Sequence, residues 1–240
     1  WLSRRGSAPW NFAWIRKWNI LINRIEANKD FYTKDDYNHW MGVARFFRGW
    51  EYSLLVQSFG DVPYYSEPVS DTDKDNQYKD RDPRTTIMKA CMEDFDFAIA
   101  NVRANDGADY VNKYVVATIA SRCMLFEGTW YIYHKNDQAM QVYKNDNIDD
   151  LAKTFLNKTV EYAEVAMNSG VYKFDTEYNA LFGSYSKPGN EIMLYRQYSN
   201  SESVKHCVAS YCNLREGQNV YGNLSTLKAW ICNDGLTHDQ

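Results

Sequence analysis

Residues 42–63 read GVARFFRGWEYSLLVQSFGDVP, and this stretch decides how the rest of the chain is interpreted. One apolar stripe passes through Phe46 and Trp50, and a second passes through Phe47 and Leu54. Apolar residues on two faces of one helix indicate neighbours on two sides, as inside a helical stack. The Gly60–Pro63 segment ends this helix, because Gly suits the position just past a helix and Pro blocks its continuation. The stretch therefore predicts the greater part of a helix over residues 35–58.

Four further segments carry apolar residues at three- and four-residue steps, the spacing of one face of a helix. They are residues 14–29, 83–102, 112–134 and 148–168. Between them, residues 64–82 are predicted to form a long polar loop, and beyond residue 170 the helical period fades among glycines and prolines. No repeat is exact, but helices of similar length with short connectors indicate a helix-pair solenoid of degenerate tetratricopeptide type.

We therefore predict a mainly α-helical fold, an α–α superhelix of tetratricopeptide-like helix pairs with a loop-rich capping region. Residues 1–170 are expected to form the helical scaffold. Residues 171–240 are expected to form a loop-rich segment packed on the helices, with at most short strands, so that the two make a single domain. The aromatic residues on the helix stripes are the predicted core: Trp14, Trp18, Phe46, Phe47, Phe95, Phe126 and Trp130.

The composition combines many aromatic rings with a polar background. The 240 residues include 8 Trp, 19 Tyr and 11 Phe, yet the mean hydropathy is -0.61. A hydrophobic content of 45% excludes a disordered chain. No apolar run reaches the roughly 18 residues that a membrane-spanning helix needs. With a net charge of -4 and no dominant cluster of Lys and Arg, the chain is not predicted to bind nucleic acid.

Cysteine usage and motif searches predict neither a cofactor nor an enzyme. The five Cys include no CxxC pair, which argues against a disulfide framework. A single Cys207–Cys212 disulfide is the alternative. The sequence has no GxSxG, no HExxH, no phosphate-binding glycine loop and no dinucleotide fingerprint. The four His are scattered, and no two of them lie four positions apart.

No metal site is predicted, although one acidic loop leaves an alternative open. Asp71, Asp73 and Asp75 resemble the start of a calcium loop, which places carboxylates at alternate positions. Asn76 then stands where the sharp-turn Gly belongs, and Asp82 stands where a bidentate Glu belongs. A solvated acidic loop is the favoured interpretation, with calcium as the alternative.

Several rings lie off the predicted helices, where packing inside a helical stack does not account for them. A Trp or Tyr ring on a loop offers a flat apolar face together with a polar edge, which suits a sugar. Trp1 and Trp10 precede the first helix, and Tyr64 and Tyr65 follow Pro63. These four rings, with Asn11 as a polar neighbour, are the predicted substrate-binding residues.

The stretch quoted at the start also resembles the signature segment of the SusD/RagB family. The family pattern is roughly G-E-A-R-F-L-R-A followed by F-G-D-V-P, and in this chain Val43 replaces the Glu and Gly49 replaces the second Ala. Further landmarks of the family occur along the chain, before and after this stretch, in the same order as in the family. They are Ile15–Asn19, Arg84–Thr85, Glu93–Phe95, Asn112–Lys113 with Arg122, Ser169–Tyr172, Leu181–Phe182, Asn190–Ile192 and Asp234–Gly235.

The resemblance implies a non-catalytic glycan-binding lipoprotein on the surface of the outer membrane of Bacteroidetes. Such proteins bind an oligosaccharide and deliver it to a SusC-like TonB-dependent transporter, which the helix-pair surface is expected to face. Attachment to the membrane is through an N-terminal lipid only. Arg45 and Arg48 are expected to be structural, since the planar fork of Arg binds carboxylates and carbonyls.

Members of the family are longer than this chain. We therefore expect a fragment that lacks the lipidated Cys before Trp1 and that ends just after Asp234–Gly235, before much of the binding region. The alternative to a glycan-binding protein is a helical-repeat adaptor, whose concave surface grips a protein or peptide partner while its aromatic residues are purely core.

Overall fold

The computed structural model describes residues 10–105, 109–137, 140, 143, 147–174, 176–184, 189–196, 198, 199, 201, 203, 223–230 and 235–237. The helices within these residues are α1 Ala13–Ala27, α2 Lys34–Phe59, α3 Lys74–Gln77, α4 Arg84–Asn101, α5 Lys113–His134, α6 Ile148–Met167, α7 Tyr178–Gly183 and α8 Leu224–Lys228, with a 3₁₀ turn at Lys29–Phe31. The described residues form no β-strand, and an isolated antiparallel bridge joins Val62 to Asp82. The predicted mainly α-helical fold is confirmed.

The five predicted helices correspond to α1, α2, α4, α5 and α6, with ends that agree within two residues. Side-chain caps account for several of the starts, because a side-chain oxygen satisfies a backbone N–H that has no partner inside the helix. Thr33 caps α2 by accepting from Asp36 N, Asn112 caps α5, and Asn147 caps α6. Gly60 follows α2 with a φ of 71°, a backbone conformation that glycine adopts without strain.

The long helices stack in chain order. The main contacts run from α1 to α2, α2 to α4, α4 to α5 and α5 to α6, with a smaller contact between α2 and α5. Two of these contacts bring a glycine close to the neighbouring helix. Gly49 of α2 lies against Phe95 of α4, and Gly128 of α5 lies against Leu156 of α6. This nearest-neighbour stacking is the predicted arrangement of helix pairs.

The core lies between the stacked helices, and it corrects part of the predicted list of core rings. Phe46 and Phe95 are fully buried, as predicted. Trp14, however, is 52% exposed and Phe126 is 39% exposed, so the prediction that they are core is wrong. Trp18, Phe47 and Trp130 are half-buried. Helical periodicity shows which side chains share a face, but it does not show where the neighbouring helix stops covering that face.

The contacts divide the chain into two compact units, Trp1–Tyr195 and Arg196–Gln240. The first unit contains α1 to α7, and the second contains α8. The proposed division at residues 170 and 171 stays a prediction. In the part of the chain that the structure describes, no helix combines the length and the apolar character needed to cross a membrane.

Some predictions fall on residues that the structure does not describe. Trp1 is one of them, and the possible Cys207–Cys212 bridge is another. Cys91 of α4 and Cys123 of α5 are described, and both are buried free thiols. Burial raises the pKa of Cys91 well above its ordinary value and that of Cys123 to about 11.

Candidate ligand-binding site

A pocket of about 320 Å³ lies between the first turns of α1 and the loop that follows α2. We call it the α1–loop pocket and define it by side chains from these two segments: Phe12, Ile15, Arg16, Tyr65, Glu67 and Gln77. Apolar walls with a few polar groups are typical of small-ligand sites, and the volume is at the lower end of the usual range.

The loop side of this pocket is held in place by Arg48 of α2. Its guanidinium donates to both oxygens of Asp94, at 2.8 Å from Nε and 2.7 Å from Nη2. The same guanidinium donates from Nη1 to Ser66 O and to Asn19 Oδ1, each at 3.2 Å. The prediction that Arg48 is structural is confirmed, and so is that for Arg45, whose Nε donates to Asp94 Oδ1 at 2.7 Å.

Asn19 of α1 extends this network to the pocket wall. It is fully buried, and its Nδ2 donates to Tyr65 O at 2.8 Å. Tyr52 of α2 bonds Tyr65 twice, because its hydroxyl accepts from Tyr65 N at 2.6 Å and donates to Tyr65 O at 3.2 Å. The backbone of Tyr65 is therefore anchored to both α1 and α2, which makes the pocket wall a fixed one.

Of the predicted binding residues, Tyr65 lines the pocket directly. Its ring meets Phe12 edge to face, with 5.9 Å between centroids, and its hydroxyl donates to Asn76 O at 3.0 Å. Tyr64 is not part of the pocket lining. Its half-buried ring packs instead on Tyr52 at 4.9 Å, because alternate residues of an extended segment point in opposite directions.

Trp10 and Asn11 lie at the edge of the pocket. The half-buried Trp10 ring meets Phe12 at 5.4 Å and Phe59 at 5.0 Å, both edge to face, and the Arg81 guanidinium lies 4.8 Å from its centroid. Asn11 Oδ1 accepts from Ala13 N at 2.8 Å and so satisfies one backbone donor at the start of α1. The structure thus brings Trp10, Asn11 and Tyr65 to one place, with Phe12 between the two rings.

Burial sets the protonation of the tyrosines around the pocket. It raises the pKa of Tyr64 and of Tyr65, since the charged phenolate is poorly solvated there. Both hydroxyls are therefore protonated at neutral pH and remain able to donate. Burial alone would lower the pKa of Arg48, but its hydrogen bonds to Asp94 and the charge of that carboxylate raise the pKa above its ordinary value.

The acidic loop next to the pocket uses Asp73 as a helix cap. Its carboxylate accepts from Asn76 N at 3.1 Å and from Asn76 Nδ2 at 2.7 Å, and these bonds lower the pKa of Asp73. No group of three or more His, Cys, Asp or Glu side chains within the described ranges could hold a metal ion. The short helix α3 that Asp73 caps supplies Asn76 and Gln77 to the pocket.

Sequence reasoning missed several residues of this site. Phe12, the residue before α1, and Arg16 of α1 are four positions apart, so helical periodicity could have paired them. Glu67 and Gln77 gave no local signal, because only the fold of the loop brings them to α1. Tyr78 follows Gln77 directly, and its ring is 82% exposed, the kind of presented aromatic face that a sugar site uses.

The arrangement can bind a ligand, and a family model matches this part of the chain. The model describes SusD-like proteins as starch-binding and associating with the outer membrane, and it matches residues 9–125. This range includes α1, the loop and the whole lining of the α1–loop pocket.

Solved structures are similar in fold. A SusD superfamily protein from Bacteroides thetaiotaomicron aligns with a TM-score of 0.60 and 18% identity, over 85% of this chain and 42% of its own. A protein crystallised with a xylogluco-oligosaccharide aligns with a TM-score of 0.60 and 17% identity, over 80% of this chain and 35% of its own. A SusD-like protein from Bacteroides fragilis aligns with a TM-score of 0.56 and 16% identity, over 77% of this chain and 32% of its own.

These identities are low, so the structural likeness establishes the fold alone. The chain spans between 32% and 42% of the length of these three solved chains. No curated protein matches the sequence.

Proposed function

Because residues 9–125 belong to the SusD/RagB family of SusD-like proteins, we propose that this chain binds oligosaccharides without hydrolysing them. The protein is exposed on the surface of the outer membrane and is attached to it through an N-terminal lipid. It delivers the bound glycan to a SusC-like TonB-dependent transporter.

The observation that carries the proposal is the position of the rings at the α1–loop pocket. Trp10, Phe12 and Tyr65 form a continuous edge-to-face cluster at its rim, with centroid distances of 5.4 and 5.9 Å. Tyr78 adds a largely exposed ring at the position after Gln77, which lines the pocket. Such rings offer apolar faces to the C–H side of a pyranose, while their polar edges tolerate water.

Binding requires only contacts that the pocket already has. Arg16 supplies donors for sugar hydroxyls, and Asn11 keeps its Nδ2 donor at the rim. Glu67 accepts from Asn23, and Gln77 bonds Lys74 and Ser70, so these two side chains offer a sugar the lone pairs and the amide hydrogen that those bonds leave. Because the loop backbone is fixed by Arg48 and Asn19, little ordering cost accompanies binding. No covalent step is part of this function.

The transporter contact is proposed for the outer face of α1 and α2. Trp14 and Leu21 of α1 are exposed there, as are Trp40 and Leu54 of α2. Trp14 stacks on Trp18, which stacks in turn on Phe47 at 4.7 Å. Exposed aromatic and aliphatic side chains supported by a packed ladder are suited to a protein interface.

The binding proposal is tested by titrating a panel of oligosaccharides into the full chain by calorimetry, with sugar release measured in parallel. Trp10→Ala and Tyr78→Ala are each expected to weaken binding about tenfold, because the proposed site uses both rings as stacking faces. Trp10→Ala also loses ring contacts inside the protein worth about 0.5–1.5 kcal/mol each, so its binding is measured well below its melting temperature.

Phe31→Ala is the matched control, since Phe31 is 89% exposed in the 3₁₀ turn after α1 and lies outside the pocket. It is expected to bind like the unmodified chain. Unchanged affinity in both Trp10→Ala and Tyr78→Ala, with folded protein, would contradict the site.

A helical-repeat adaptor for a protein partner is the second candidate. The exposed apolar face of α5, with Leu125, Phe126, Ile132 and Tyr133, favours it. The same oligosaccharide panel separates the two, because an adaptor shows no sugar binding.

A further inference from the structure

A second pocket, of about 450 Å³, lies between α5, α6 and the segments that follow α6. We call it the α5–α6 pocket. The side chains that matter for its chemistry are Arg122, Ala166, Met167, Phe174, Glu191 and Met193. None of them lines the α1–loop pocket, and all of them belong to the unit Trp1–Tyr195.

The α5–α6 pocket has a different chemistry from the proposed sugar site. Met167 is 76% exposed and Phe174 is 97% exposed, so two large apolar side chains face solvent beside the pocket. Hydroxyl groups within it are already bonded inside the protein, because Ser121 Oγ donates to Thr159 O at 2.8 Å and Thr118 Oγ1 donates to Tyr114 O at 2.9 Å.

The charge in the pocket favours an anion, since two cations, Arg122 and Lys173, line it together with one carboxylate, Glu191. Arg122 is exposed, and among the residues that the structure describes no carboxylate forms an ion pair with it. The nearby Glu191 uses its Oε2 to accept from Thr176 N at 3.3 Å. The guanidinium of Arg122 therefore keeps its planar fork for a ligand, and this fork matches the two oxygens of a carboxylate.

We propose that the α5–α6 pocket binds a small carboxylate with an apolar aryl or acyl body. The carboxylate lies on Arg122, and the apolar body packs against Met167, Phe174 and Met193. Methionine side chains adapt to apolar groups of different shape, so the pocket is expected to accept carboxylates whose apolar bodies differ in shape. This site is separate from the proposed glycan site and does not depend on it.

Phenylbutyrate and its uncharged amide, phenylbutyramide, test the proposal by calorimetric titration into the full chain. The carboxylate is expected to bind about tenfold more tightly than the amide, the effect of one charge-assisted hydrogen-bonded pair. Arg122→Gln should remove this preference and leave the affinity for the amide unchanged. Lys153→Gln, which removes an exposed cation of α6 outside the pocket, should retain the preference.

Equal affinities for the two probes in the unmodified chain would overturn the proposal, and so would a preference that survives Arg122→Gln. If Arg122→Gln loses its helical circular dichroism, Ala166→Leu is the second test variant, because it places a larger side chain in the lining of the pocket. Binding of phenylbutyrate by Ala166→Leu at full affinity would also overturn it. Oligosaccharide affinity is measured in each variant and should not change, which separates this site from the α1–loop pocket.

Discussion

Arg48 connects the structural motif of α2 to the candidate site. One guanidinium neutralises Asp94 of α4 and also holds Ser66 O of the loop. A Lys at this position would carry the charge but could not present the fork that reaches both partners. The arginine of the R-F-F-R segment is thus an element of the scaffold whose position shapes the binding pocket.

Glu51, three residues further along α2, yields a prediction about pH. Burial raises its pKa, because desolvation penalises the carboxylate. A pKa that is higher in the folded state gives a contribution to stability that is present at low pH and is lost as the pH rises through the folded pKa. Glu51→Gln is therefore expected to raise the melting temperature at pH 7.

The increase should vanish at about pH 3.5, where Glu51 is protonated in both states and resembles Gln. Thermal denaturation at the two pH values measures it. Glu164→Gln, at an exposed position of α6, serves as the comparison. A melting temperature that is unchanged or lower at pH 7 would show that Glu51 has a stabilising partner in solution.

At the scale of the elements, local sequence predicts where the helices lie along the chain, but it does not predict the distances between packed helices. The apolar periodicity predicted five helices, and their predicted ends lie within two residues of the observed ends, because caps and glycine stops are local signals. The short helices α3, α7 and α8 were missed, since each is shorter than the window that a period needs. The distance between packed helices depends on which small residues meet.

The contact between α5 and α6 gives a prediction of this kind. A Cβ on Gly128 would lie 2.7 Å from Leu156 Cγ and 3.2 Å from Ala152 O. Gly128→Ala is therefore expected to destabilise the protein by about 1–3 kcal/mol through overpacking, minus about 1 kcal/mol gained in helix propensity. Chemical denaturation followed by circular dichroism measures the free energy of unfolding.

Gly183→Ala is the control, because no atom lies within 4 Å of a Cβ there. It should be neutral or slightly stabilising. If Gly128→Ala were equally harmless, the two helices would be further apart in solution than in this structure.

At the scale of the whole molecule, the helix stack is joined by a buried ion pair. Arg84 of α4 donates from Nε and Nη2 to the two oxygens of Glu127 of α5, at 2.9 and 2.6 Å. Both side chains are almost fully buried, and Trp130 covers the guanidinium at 3.5 Å. Removing one partner leaves an unpaired charge in the core.

Arg84→Met alone is expected to cost about 3–5 kcal/mol, because Glu127 then stays buried without its partner. The double variant Arg84→Met, Glu127→Leu should recover most of this loss, since two apolar side chains replace the pair. Denaturant titrations of the single and double variants measure the difference. A double variant that is no more stable than the single one would mean that the pair contributes more than charge compensation.

The sequence by itself determined the helices, their order and the structural role of the R-F-F-R segment. These are local properties, because the apolar period, the caps and the stops act over a few neighbouring residues. It also proposed four binding rings, Trp1, Trp10, Tyr64 and Tyr65, with Asn11 as a polar neighbour, from their positions off the helices.

Only the tertiary structure decided which side chains surround the pockets. Asn19 reaches Tyr65 across 46 positions, and Arg48 reaches Asp94 across 46 positions as well. Contacts over such distances depend on how helices pack in space, which also left Trp14 exposed and turned Tyr64 onto Tyr52. Local sequence cannot specify them, because burial is a property of the neighbour as much as of the residue itself.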